Sequence, residues 1–179
     1  MSAPLAKPLA NDTHDGIAFE DFAMPSKPET RIQELHLVLP PAPKPVAKYK
    51  TAVRVGNMLY VSGHGPLKED KTMITGRVGA DLTLEQGKQA ARQTGLAILA
   101  TVRATLGSLD HVKRLVKTLG LVQCTPEFRD QPQVINGFSE LMAEVFGDDE
   151  GVGARSAIGT NALPGNIAVE IECIFELHG

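Results

Sequence analysis

An arginine and two glutamates toward the C-terminal end of this 179-residue sequence have the types and spacing to hold a small anion and activate water beside it. Arg155 lies in the run Ala154-Arg155-Ser156-Ala157-Ile158-Gly159, and Glu170 and Glu172 sit two apart within Ala168–Phe175. A guanidinium is a rigid fork of donors that grips a carboxylate through paired hydrogen bonds. A nearby glutamate can serve as general base. Both runs read as strands, linked through the turn Leu163-Pro164-Gly165-Asn166. Strand alternation puts Val169, Ile171, Cys173, Phe175 and Leu177 on one face, and Glu170, Glu172, Ile174 and Glu176 on the other. If the two runs pair through an even loop, Arg155 falls opposite Ile174, on the glutamate face. An odd loop sets it among apolar side chains, where an unpaired charge is costly. The even loop is the expectation. Spacing leaves a plainer alternative open: a structural ion pair of Arg155 with Glu170 or Glu172, on a solvated strand face.

Other candidates are weaker by pattern. Gly63-His64-Gly65 lacks the third glycine of a nucleotide loop, since Lys68 takes that place, and no helix begins there. Gly87-Lys88 lacks the rest of a phosphate loop. Ser62 has no G-x-S-x-G setting. His14, His36, His111 and His178 match no metal-ligand spacing, so no metal is expected. Asn136 lies on a helix off its apolar stripe, where an exposed polar residue is the ordinary reading. Cys124 and Cys173 lie in apolar segments without C-x-x-C spacing and read as reduced, buried thiols.

The elements that must position these residues follow from turns, caps and periodicity. Residues 50–55 and 58–62 read as strands around Gly56-Asn57, a two-residue hairpin turn. That pairing puts Tyr49, Thr51, Val53 and Val55 on one face with Met58, Tyr60, Ser62 and His64, so Tyr49 and Ser62 share its open end. Residues 76–80 are a candidate third strand. Thr83-Leu84-Glu85-Gln86 is a capping box opening a helix that stops at Gly107, with an inner stripe of Ala91, Gly95, Ile98 and Val102. Residues 111–123 read as a strand. A second helix runs from about Pro132 to Phe146 and ends at Gly147, with Ile135, Phe138, Met142 and Val145 inward. The order ββ(β)αβαββ predicts an α+β domain with two helices on one face of a mixed sheet. The other face, carrying Val53, Val55, Met58 and Ile174, is apolar enough to predict self-association in a closed ring.

Eight of the twelve prolines fall in residues 1–45, which read as an extension before a compact domain over 46–179. Within it, Thr30-Arg31-Ile32-Gln33 reads as a capping box for a short helix. With 42% hydrophobic residues the chain can bury one core. A net charge of −3 and 4% aromatic residues argue against a nucleic-acid surface. No charge-free run reaches a membrane span, and the N-terminal residues lack a signal-peptide pattern; a soluble cytoplasmic protein is expected.

Taken as a set, Tyr49, Gly56-Asn57-Met58-Leu59-Tyr60-Val61-Ser62-Gly63, Ala154-Arg155-Ser156, Leu163-Pro164 and Val169-Glu170-Ile171-Glu172 resemble the Rid family (RidA/YjgF imine deaminases). Residues 31–45 and 130–137 resemble a longer-chain branch. The resemblance implies a chorismate-mutase-like fold, a homotrimer with clefts between subunits, and no cofactor. It implies hydrolysis of 2-imino acids or enamines to 2-keto acids and ammonia. Arg155 would anchor the substrate carboxylate, Glu170 would activate water, and Tyr49, Ser62 and Asn136 would line the cleft. Ala157 stands where many deaminases have cysteine, and His64 where glutamine is common. A carboxylate-binding regulator without turnover, and the ribonuclease activity often attached to the family, are the alternative readings.

Overall fold

The computed structural model describes residues 27–45 and 47–179. Residues 1–26, most of the expected extension, lie outside the described residues. The first element, helix α1 (Pro28–Glu34), starts ahead of the expected capping box, and Thr30 lies inside it. Proline in the first turn explains the earlier start, because its missing N–H has no helical partner there anyway. α1 is tied down by charge: Arg103 donates to both carboxylate oxygens of Glu29, at 3.0 and 2.6 Å. The Leu109 N–H donates to the same carboxylate at 2.9 Å. Ile32 is buried in the main core.

Gly56, at φ +60°, makes the expected turn between β1 (Ala52–Val55) and β2 (Met58–His64). Val55 lies opposite Met58 and Val53 opposite Tyr60. Residues 76–80 do not form the candidate strand. Gly76 and Gly79 hold φ at +118° and +91°, which breaks an extended run, and Val78 makes isolated bridges to Leu82 and Cys124. Helix α2 (Leu84–Leu106) opens on the Thr83/Gln86 capping box, with both reciprocal bonds made, and closes at Gly107 with φ +84°. One 3-10 turn then leads into β3 (Val112–Gln123), followed by α3 (Gln131–Phe146), the helical turn α4 (Asp148–Gly151), β4 (Ala154–Thr160) and β5 (Val169–Leu177).

The sheet order is β1-β2-β5-β3-β4, antiparallel except for the β3–β4 pair. This corrects the expected pairing of the last two strands. β4 follows the crossover helix α3, so it lies parallel to β3 at the sheet edge, and β3 separates it from β5. Arg155 is therefore level with Thr118 and Cys173, not with Ile174. Thr118 and Cys173 are buried on the helix-covered face, and Arg155 shares that face. Alternation within β5 is as expected: Val169, Ile171, Cys173, Phe175 and Leu177 are all buried.

Helices α2 and α3 cover that one face, as the element order predicts. Small residues let them sit close. A Cβ on Gly137 would overlap the Lys88 carbonyl, and one on Gly95 would lie 2.7 Å from Leu141 Cδ2. The opposite face is uncovered among the described residues: Val53, Val55, Tyr60 and Ile158 are 43%, 61%, 46% and 50% exposed. The helix contact yields a stability prediction. Gly137→Ala should cost roughly 2–3 kcal/mol through overpacking. Gly107→Ala, which meets no atom within 4 Å but keeps a positive φ, should cost about 1 kcal/mol. Urea denaturation of both variants gives the comparison.

Candidate active site

The site begins with an irregularity in β2. Val61 pairs with Cys173, but the next paired residue is His64, opposite Ile171, so three steps on β2 span two on β5. Such a bulge re-aims side chains. It corrects the expectation that His64 shares the open face with Ser62. His64 is turned inward and is 4% exposed. Its Nδ1 lies 2.6 Å from the Ser62 carbonyl and its Nε2 lies 2.8 Å from the Thr101 hydroxyl of α2. A carbonyl can only accept, so Nδ1 carries the hydrogen, and in the neutral ring Nε2 accepts from Thr101. Burial pushes the His64 pKa down, and the bond to Ser62 opposes that in part.

The bulge also brings Gly63 against Glu170. A Cβ at Gly63 would overlap the Glu170 carboxylate, so only glycine leaves that group its place. The Glu170 carboxylate makes no hydrogen bond or ion pair among the described residues. Burial raises its pKa above the ordinary carboxylate value, and the neighbouring Glu172 charge adds to this. Glu170, Tyr49, Ser62 and Gly63 line one cavity of about 640 Å³. The Ser62 hydroxyl donates to the Lys50 carbonyl at 2.7 Å. Its hydrogen is thus committed, and toward a ligand it acts as an acceptor.

Arg155 is elsewhere. Its guanidinium donates to Asn136 Oδ1 at 2.9 Å, to Ser139 Oγ at 3.0 Å and to the Pro132 carbonyl at 3.3 Å. All three partners belong to α3 and none is charged, so the expected ion pair with Glu170 or Glu172 is not formed. Partial burial lowers the Arg155 pKa. The charge on the helix face is thus met by neutral acceptors at the sheet edge, which makes the placement tolerable. Asn136 is an orienting partner rather than an exposed bystander. Ser139 was missed from sequence; its signal is the i, i+3 spacing from Asn136, which puts both on one side of the helix. The chain therefore makes two groups: Tyr49, Ser62 and Glu170 in one cavity, Arg155 and Asn136 on the far face.

Both cysteines are free and buried, and burial raises the Cys173 pKa further. Among the described residues no three His, Cys, Asp or Glu side chains converge as a metal site. No described helix is long and apolar enough to cross a membrane.

The sequence pattern of the endoribonuclease L-PSP family matches residues 40–177. The chain belongs to that family, the RidA/YjgF proteins. It is 40% identical over 147 residues to protein TCP17 of Trypanosoma cruzi, covering 82% of this chain and 92% of that one. It is 32% identical over 136 residues to a 2-iminobutanoate/2-iminopropanoate deaminase of Dermatophagoides farinae, covering 75% and 90%. A crystal structure of a protein of unknown function from Agrobacterium tumefaciens superposes with a TM-score of 0.76 at 41% identity, covering 84% and 94%. The α+β architecture with its mixed five-stranded sheet is the fold of this family.

The buried histidine carries a pH prediction. Its folded pKa lies below the ordinary value of 6.5, so the unfolded chain takes up the proton first. The stability this contributes is present above about pH 6.5 and is lost as pH falls toward the folded pKa. The His64→Gln variant cannot titrate there. Its melting temperature should fall less steeply than the wild type's between about pH 6.5 and 5.

Proposed function

We propose that the protein hydrolyses reactive 2-imino acids, or their enamine tautomers, to 2-keto acids and ammonia, in a cleft shared between copies of the chain. The carrying observation is the separation of the two charged groups. Among the described residues the Glu170 carboxylate stands unpaired, in a cavity on one side of the sheet, while Arg155 is oriented by α3 on the other. One chain cannot bring both to one small substrate. A homotrimer that buries the uncovered sheet face would set Arg155 of one copy beside the Glu170 cavity of the next. The deaminase from Dermatophagoides farinae supports the chemistry, as a relative at 32% identity.

In this reading Arg155, held by Asn136 and Ser139, takes the substrate carboxylate through its remaining donors. Glu170 removes a proton from water as the oxygen attacks C2 of the imine. The nitrogen receives the proton, the C–N bond breaks, and ammonia leaves with the 2-keto acid. Ser62 accepts a hydrogen bond from the water or the imine N–H, and Tyr49 closes the cavity wall. An imine carbon is already electrophilic, so the step calls on no metal or organic cofactor. A second reading, carboxylate binding without turnover, draws on Ala157 and His64, which depart from the residues common among deaminases. The ribonuclease activity in the family's name finds little support in a chain whose 21 acidic residues outnumber its 18 Lys and Arg.

The test generates 2-iminobutanoate enzymatically and follows keto-acid release. The wild type should accelerate it, and Arg155→Ala or Glu170→Gln should each lower kcat/KM by about 100-fold or more. Activity should fall on acidification through the raised pKa of Glu170. Mixing the two inactive variants under reassociating conditions should restore about a quarter of wild-type activity, the statistical share of clefts with both groups intact. Acceleration that survives Arg155→Ala would exclude this mechanism. Failure of the mixture to recover would exclude the shared cleft.

A further inference from the structure

We infer that the substrate of the Glu170 cavity carries a bulky apolar side chain, branched aliphatic or aromatic, seated against a wall of Leu67, Met73 and Ile167. This rests on the reading of that cavity as the imine site. A cavity of about 640 Å³ is far larger than a two- or three-carbon imino acid fills. Space is held open by Gly65. Its φ is not positive, so the backbone does not demand glycine. The volume does: a Cβ there would lie 2.9 Å from Ile167 Cδ1 and 3.6 Å from Met73 Sδ. Any larger residue would push into the wall or the cavity.

The wall is fixed at its base. Leu67 bridges Met73 across a short turn, and Gln93 of α2 donates to the Leu67 carbonyl at 2.5 Å. Thr75 bridges Ile167, and Leu67 and Ile167 are each 8% exposed. Met73 is 40% exposed, an apolar and adaptable side chain. The N-terminal segment adds to the same lining. α1 is pinned by Glu29 to Arg103, Leu37 and Leu39 pack against the core, and the proline-stiffened stretch delivers Pro43 and Lys44 to the same cavity. Lys44 and Glu170 bring charge to other parts of the lining, but the side chains of Leu67, Met73 and Ile167 offer nothing to a polar group and a large contact area to an apolar one. A methyl group would leave the walls wet; an isobutyl or benzyl group would cover them.

The experiment compares imines made in situ from alanine, leucine and phenylalanine by an amino-acid oxidase, with keto-acid release followed on full-length protein. Beside it, calorimetry measures binding of pyruvate and 4-methyl-2-oxopentanoate. kcat/KM for the leucine- or phenylalanine-derived imine should exceed that for the alanine-derived one by about 10-fold or more, with the longer keto acid bound more tightly by a similar factor. Met73→Trp, which fills the pocket, should lower both ratios by about 10-fold. Equal or better turnover of the alanine-derived imine, with the two keto acids bound equally, would overturn this inference and leave the imine reading standing. Preferred binding of the longer keto acid with no imine accelerated would sink the imine reading and uphold the apolar pocket. Neither binding nor turnover would end both.

Discussion

The fold depends on how near α3 can come to α2 and to the sheet. Three glycines set that distance. Gly137 lies against the Lys88 carbonyl, Gly95 lies under Leu141, and a Cβ on Gly120 of β3 would sit 2.6 Å from Ile135 Cδ1. The rims of the helix pair are closed by Lys88–Glu140 at 2.8 Å and by Arg92 donating to both oxygens of Glu144 at 3.0 and 2.6 Å. These pairs are partly exposed and add little stability; the glycine contacts decide the spacing. Because α3 sits this low, Asn136 and Ser139 reach the β4 edge and hold the Arg155 guanidinium. The aim of a guanidinium on one element thus derives from the packing of two others.

Much of this architecture is legible in the sequence because it is local. The Thr83 capping box, Gly107, the Gly56-Asn57 turn and the alternation in β5 each need only a few neighbouring residues, and each is found where periodicity puts it. What the pattern hides is set by partners distant in the chain. The face taken by Arg155 follows from parallel pairing with β3, a tertiary choice that a turn-like Leu163-Pro164-Gly165-Asn166 does not report. The inward turn of His64 follows from a bulge, and alternation cannot register one extra residue. Glycines at 63 and 65 were the local trace of it, since glycine within a strand marks bulges and close approaches. The candidate residues were recognisable by type, but their division between two faces was not.

That bulge shifts two titratable groups in opposite directions, and both lose charge as a result. His64 is driven toward the neutral ring and Glu170 toward the protonated acid, each chiefly by burial. Among the described residues the cavity lining therefore holds one carboxylate, Glu170, and one ammonium, Lys44. A base kept short of partners is the usual condition for proton transfer near neutral pH. An anionic ligand there meets one flexible ammonium and no guanidinium, the group that grips a carboxylate with paired bonds.

The strand order has a consequence for how the chain comes to be folded. β5 is the last of the five strands to be synthesised, yet it lies in the middle of the sheet, between β2 and β3. Until it is in place, the β1–β2 hairpin and the β3–β4 pair are separate ribbons, each with a bare edge. Their apolar faces have no shared layer against which α2 and α3 can settle. Contacts of such long sequence separation form slowly. A nascent chain stalled before Val169 would present two open edges at once, the condition that favours pairing between chains over folding within one.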